Sequence, residues 1–194
     1  MTKIKAIIFD CFGVLLADVL RVKADELAAT HPDAAENFHA VLRAGDRGII
    51  APQEVAEQVG NILGISTEEV LTMSREGEVK NLALIAEIPK LRSRYKVAML
   101  SNINGRAWLD DRFGDGELDR LFDVVVASGD VGMIKPEPGI YELTAERLGV
   151  APGECVMIDD LLKFTEGAKA VGMQAIQFHT TAQALSELET VLEK

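Results

Sequence analysis

A chain of 194 residues has room for one domain, or for one domain carrying an insertion, and its 48% hydrophobic content supports a sizeable core and excludes a disordered chain. Acidic residues outnumber basic ones by 31 to 20, giving a net charge of −11 with no Lys/Arg run, so nucleic acid is not an expected partner. No apolar run approaches the roughly 20 residues of a membrane span, and no signal-type stretch precedes the first strand, so a cytoplasmic protein without a membrane partner is expected. Cys11 and Cys155 fit no CxxC or Cys/His metal pattern, in keeping with a reducing compartment. With no His neighbour in the sequence to activate it, Cys11 is not an expected nucleophile.

The first predicted element is the apolar run Ala6-Ile7-Ile8-Phe9, a strand buried on both faces that stops abruptly at Asp10. Gly13 allows a sharp turn away from it. From 17 to 79 the spacing is helical throughout, through Val19, Val22 and Leu27, then Phe38, Val41 and Leu42, then Val55, Val59, Ile62 and Leu63. Pro52 suits a first helical turn, Gly64 a helix end, and Ser66-Thr67-Glu68-Glu69 a capping box. A helix over 80–94 kinked at Pro89 leads to the strand Val97–Leu100, and a polar helical stretch over 105–121 to the strand Val124–Ala127. A helix from Glu137 to Leu148, the strand Val156–Ile158, a helix near 162–171, the strand Ala175–Phe178 and a helix near 182–192 complete the chain. Strands alternating with helices predict an α/β fold with a doubly wound, Rossmann-like parallel sheet over 1–16 and 80–194, and an all-helical insertion over 17–79.

Open α/β sheets bind ligands beyond the carboxyl ends of their strands. Four short polar sites fall there: Asp10, Ser101-Asn102, Lys135, and Asp159-Asp160. Three carboxylates in one crevice repel each other unless a cation offsets them, and a set of hard oxygen ligands describes Mg²⁺. Lys135 adds a positive charge, Ser101 a hydroxyl and the neighbouring backbone further donors, so a phosphate lying against the metal is the anion that fits. Asp10 would then attack phosphorus, forming an aspartyl-phosphate that water cleaves.

Phe9-Asp10-Cys11-Phe12-Gly13-Val14, Leu100-Ser101-Asn102, Gly132-Met133-Ile134-Lys135-Pro136-Glu137-Pro138 and Ile158-Asp159-Asp160 resemble the four motifs of the haloacid dehalogenase-like (HAD) hydrolase superfamily. The resemblance spans roughly residues 4–178, and the helical insertion is similar to that group's cap. The whole looks closest to small bacterial sugar-phosphate phosphatases, such as those acting on glucose 1-phosphate, and to the phosphatase domain of soluble epoxide hydrolases. The resemblance implies Asp10 as nucleophile and metal ligand, the Phe12 backbone carbonyl as a second ligand, and Asp160 as a third, with Asp159 in or near the same shell. It implies Ser101 and Lys135 as phosphoryl-holding catalytic residues, helped by the Asn102 backbone, and a small phosphorylated substrate; a monomer or homodimer is expected.

One position departs from the pattern. Most phosphatases of the superfamily have an Asp two residues after the nucleophile as general acid and base, and here that position is Phe12. Haloalkanoic acid dehalogenases also carry an aromatic residue there, which makes displacement of halide from a 2-haloacid by Asp10 the alternative, although those enzymes lack the acidic pair. A non-catalytic phosphate-binding relative is the other reading. Within the insertion, His31, His39, Arg43 and Arg47 are the candidate substrate contacts, while Trp108 is expected at the core or rim and Cys155 in packing.

Overall fold

The computed structural model describes residues 3–193, so the extreme ends of the expected core range, residues 1–2 and 194, lie outside the described residues. Strands β1 (Ala6–Phe9), β2 (Lys96–Ser101), β3 (Val124–Ala127), β4 (Cys155–Asp159) and β5 (Gln174–Gln177) form one parallel sheet in the order β3-β2-β1-β4-β5. The central β1 pairs Phe9 with Met99 on one side and with Ile158 on the other. This register brings the chain out of the sheet at Asp10, Ser101 and Asp159 along one edge.

The insertion consists of α1 (Val19–Ala28), α2 (Pro32–Asp46), α3 (Pro52–Leu63) and α4 (Thr67–Gly77). Pro32 and Pro52 occupy first turns, Gly64 ends α3 at φ 71°, and the Ser66/Glu69 capping box opens α4. Ala24, Phe38, Ala56, Val59 and Val70 form an apolar cluster of the insertion's own. Two adjacent chain segments join it to the sheet, with Ala17 N–H donating to the Val79 carbonyl (3.0 Å) and Asn81 N–H to Leu15 (2.8 Å).

The single helix expected over 80–94 is two, α5 (Leu82–Ile85), capped by the Asn81 side chain, and α6 (Ile88–Arg92). Pro89 lies in the first turn of α6, where its missing N–H costs nothing, rather than kinking a longer helix. The stretch over 105–121 likewise splits into α7 (Arg106–Phe113) and α8 (Glu117–Leu121) around Gly114 and Gly116, which take φ values of 90° and 68°. A short α9 (Ser128–Val131) precedes α10 (Pro138–Leu148), α11 (Leu162–Ala170) and α12 (Thr181–Leu192).

Ile7, Phe9, Val97, Met99, Val156 and Ile158 pack on one face of the sheet against α5 to α8 and α12. Ile8, Ala98, Leu100 and Met157 pack on the other against α10 and α11. Helices on both faces are the reason the strands read as unbroken apolar runs.

Candidate active site

Lys135 is the centre of the crevice. It is 1% exposed, and its Nζ lies 2.7 Å from Asp10 Oδ1 and 2.6 Å from Asp159 Oδ2. Its position is set by the residue after β2: Asn102 Oδ1 accepts from Lys135 N–H (2.8 Å) and Asn102 Nδ2 donates to the Lys135 carbonyl (3.1 Å). Burial opposes the lysine's charge, but the carboxylates of Asp10 and Asp159 overcome this and hold its pKa above the usual value. Burial pushes Asp10 well above the carboxylate range, the Asp159 charge adds to this, and Lys135 pulls the other way.

Asp10, Asp159 and Asp160 each offer a carboxylate oxygen, and these oxygens lie within 4.8 Å of one another. Both Asp159 oxygens have protein partners, Oδ2 in Lys135 and Oδ1 in the Leu161 N–H (3.0 Å). Asp160 Oδ1 and Ser101 Oγ, by contrast, are buried without a hydrogen-bond partner. Buried polar atoms rarely go unpaired, and these two, at the end of β2 and just past β4 on one sheet edge, are open positions for a ligand. Gly13 is required by the same carboxylate: its φ is +87°, and a Cβ there would lie 2.4 Å from Asp160 Oδ2. The donor set is hard oxygen throughout and fits Mg²⁺.

Of the residues singled out in the sequence, Asp10, Phe12, Asn102 and Lys135 line one cavity of about 290 Å³ between the sheet edge and the insertion. His39, Arg43 and Trp108 line it too, with Trp108 at its rim under the Arg112 guanidinium, 4.6 Å from the ring centroid. Two expected contacts do not reach it. His31 is exposed at the start of α2, bonded to Thr30, and Arg47 is taken up in an ion pair with Glu137. Cys11 is buried and its thiol is pushed well up by burial and by Asp10, which leaves it unsuited to thiolate chemistry. Cys155 is buried at the start of β4, and burial raises its pKa to about 12.

Three features were not foreseen. Arg21, from α1, donates to Asp160 Oδ2 (2.7 Å) and to Asp18 (3.0 Å), so the insertion places a guanidinium on a candidate metal carboxylate. Its partner is distant in the chain, and nothing in the local sequence signals it. Asp46, the last residue of α2, also lines the cavity. The third is the wall itself, built from Leu20, Leu42, Val55, Val70 and Leu71, whose helical spacing reads only as core.

A family model of haloacid dehalogenase-like hydrolases matches residues 4–172. The chain belongs to this family. Bifunctional epoxide hydrolase 2 of Mus musculus is 43% identical over 93 residues, which cover 43% of this chain and 16% of that protein. The chain spans less than a fifth of the length of such curated relatives. A sesquiterpene phosphatase of Aspergillus oryzae is 26% identical over 202 residues, 98% of each protein. The solved structure of a wild-type HAD family enzyme from Bacteroides thetaiotaomicron, complexed with magnesium and inorganic phosphate, shares the fold with a TM-score of 0.71 at 22% identity, covering 91% of this chain and 94% of that one. Among the described residues no helix is long and apolar enough to cross a membrane.

Proposed function

We propose that this HAD hydrolase is a Mg²⁺-dependent phosphatase of small phosphomonoesters that works through an aspartyl-phosphate on Asp10, with residues 17–79 as its cap. The observation that carries the reading is the pair of unpartnered buried oxygens, Asp160 Oδ1 and Ser101 Oγ, in the crevice where Lys135 bridges Asp10 and Asp159. Asp10, Asp160 and the Phe12 carbonyl would hold the metal, with Asp159 oriented by Lys135 behind them. Bound there, Mg²⁺ supplies positive charge against the carboxylates and the phosphoryl oxygens. Lys135, the Ser101 hydroxyl and the Asn102 N–H hold the phosphoryl group in line with an Asp10 oxygen, which displaces the alcohol. The magnesium and phosphate held by the Bacteroides enzyme support this reading.

The cavity favours an apolar alcohol over the sugar phosphate that the resemblance implies. Its wall is Leu20, Leu42, Val55, Val70 and Leu71, and several of its polar side chains are already spent on protein partners. Asp18 is bonded to Arg21, Glu78 to Arg112, and Asn104 to two carbonyls of the insertion. Arg43, Asp46 and Lys163, which also line it, make no ion pair among the described residues, so polar contact with an alcohol is confined to a few side chains. The Aspergillus relative, named for a terpenoid phosphate, is in keeping with this.

The test is phosphate release with and without Mg²⁺ across straight-chain alkyl phosphates and sugar phosphates, alongside halide release from 2-chloropropionate. Each methylene that enters the cavity should raise kcat/KM by about fourfold, from about 0.8 kcal/mol per buried CH₂. Activity that survives exhaustive chelation, or halide release exceeding phosphate release, overturns the phosphatase reading. A flat chain-length series with preference for sugars overturns the apolar substrate alone.

A further inference from the structure

Phe12 leaves the departing alcohol without the usual proton donor, yet the cavity wall carries other acids. Four carboxyl groups line it: Asp10, Asp18, Asp46 and Glu78. Asp10 is held by Lys135, Asp18 by Arg21, and Glu78 by Arg112 at 2.6 Å. The Asp46 carboxyl alone makes no hydrogen bond or ion pair among the described residues.

The segment carrying Asp46 is fastened to the core on every side of that residue. Ser128 Oγ, at the end of β3, donates to the Asp46 carbonyl, and Asn104 Nδ2 donates to the carbonyls of Gly45 (2.9 Å) and Ile50 (2.7 Å). Arg47 pairs with Glu137, and Gly48 presses on Gly129 so closely that a Cβ would meet its carbonyl at 2.9 Å. A side chain without a partner of its own is thus carried on a fastened segment of the cavity that Asp10 and Lys135 also line.

We propose that Asp46 is the general acid of this enzyme, giving its proton to the leaving oxygen as Asp10 displaces it, and then taking a proton from the water that cleaves the aspartyl-phosphate. The assignment rests on the phosphatase reading above. In the first step the Asp10 oxygen forms a bond to phosphorus, the bond from phosphorus to the ester oxygen breaks, and that oxygen keeps the electron pair and takes the Asp46 proton. In the second, the water oxygen bonds to phosphorus, the Asp10 carboxylate is released with its electron pair, and the water's proton restores Asp46, leaving hydrogen phosphate.

The surroundings suit a donor. Burial, and then the Asp18 charge, raises the Asp46 pKa to about 7, while Lys135 and Lys163 oppose the rise. The other charged or titratable side chains lining the same cavity are Asp10, Arg21, His39, Arg43 and Glu78, and outside it lie Arg47 beside α2, Asp130 on α9 and Glu137 ahead of α10. Asp130 is capped on the Arg106 N–H and Glu137 is paired with Arg47. Below its pKa Asp46 holds the proton it must give, so turnover of esters with poor leaving groups should fall as pH rises through about 7.

The experiment compares the full-length Mg²⁺-loaded enzyme, Asp46→Asn and Asp46→Ser on hexyl phosphate and p-nitrophenyl phosphate. The nitrophenolate leaves unaided, whereas a hexoxide needs a proton. Within each variant the ratio of the two kcat/KM values does not depend on the folded fraction, so partial misfolding cannot imitate the effect. In both variants kcat/KM for hexyl phosphate should drop by about 10²–10⁴-fold relative to that for nitrophenyl phosphate, and the basic limb of the hexyl profile should vanish. A ratio unchanged in both variants overturns the assignment while leaving the phosphatase reading intact. A wild type that releases phosphate from neither ester overturns the phosphatase reading and the assignment with it.

Discussion

The floor and the wall of the cavity are built on opposite plans. The floor is polar, dry and tied together: Lys135 touches two carboxylates at 2.6–2.7 Å, its backbone is clasped by Asn102, and Asp10, Asp159 and Ser101 are buried at strand ends. The wall is largely apolar, taken from the insertion's own cluster, with Arg21, His39 and Arg43 among the few charged or titratable side chains the insertion adds to it. Charges held this way can act on a reacting group because no water must reorganise around them. Apolar side chains discriminate by area and shape, with small steps per methylene. Under the proposed function, chemistry and selectivity would then be carried by different parts of the chain and should separate under mutation.

The floor should give the largest effects. Asp10→Asn keeps the volume but replaces the nucleophile with an amide, and phosphate release should fall by about 10⁴-fold or more, with thermal unfolding showing the fold retained. A variant that keeps near wild-type turnover removes Asp10 from the role. Lys135→Met should lower kcat by about 10²–10³-fold. It also strips the cation from two buried carboxylates, which should cost about 3–5 kcal/mol in denaturant unfolding of the metal-free protein. Asp10 already sits well above the usual carboxylate range, so its charged form is the one the fold disfavours. The deficit should therefore be full at alkaline pH and shrink as acid neutralises Asp10. A loss of stability without a loss of rate would move Lys135 into a purely structural role.

Ser101→Ala separates function from stability more finely. The hydroxyl is buried and has no partner, so its removal should leave the midpoint of unfolding unchanged or raised, while phosphate hydrolysis falls by about tenfold or more. A destabilised variant with full activity would show that Ser101 serves packing alone. The smallest effects belong to the wall. Leu42→Trp should narrow the cavity and flatten the alkyl chain-length series by about fourfold for each methylene excluded, with short substrates hardly changed. Equal losses at all chain lengths would mean that the wall and the floor are not separable.

The fold and the floor were largely legible because both are written locally. A strand buried on two faces announces itself as an apolar run, and the residue that ends it announces the edge of the sheet, as with Phe9 and Asp10 or Ile158 and Asp159. Helix ends with their own chemistry, Ser66 with Glu69 and Gly64, were equally readable. What escaped depends on distant packing. The split at Gly114 and Gly116 needed knowledge that two short helices cover one sheet face, and the pairing of Arg21 with Asp160 joins residues 139 apart. Leu42 and Val70 have the spacing of ordinary core positions, and whether a core position faces a neighbour or a cavity is not encoded in its period. Asp46 drew no notice in the sequence, since the segment that carries it is fastened by Ser128 and Asn104, residues far later in the chain.

The turn after β2 holds both halves of the cavity. Asn102 grips the backbone of Lys135, and two residues later Asn104 grips the insertion on either side of Asp46. Three consecutive residues therefore serve as a shared benchmark for the backbone of Lys135 and for the segment that carries Asp46. A shift at the end of β2 would carry the two together and preserve their spacing. Moving the Asp46 segment away would require the Asn104 amide to let go along with Ser128 and the Arg47–Glu137 pair, so the placement of Lys135 and the hold on the insertion meet at one turn.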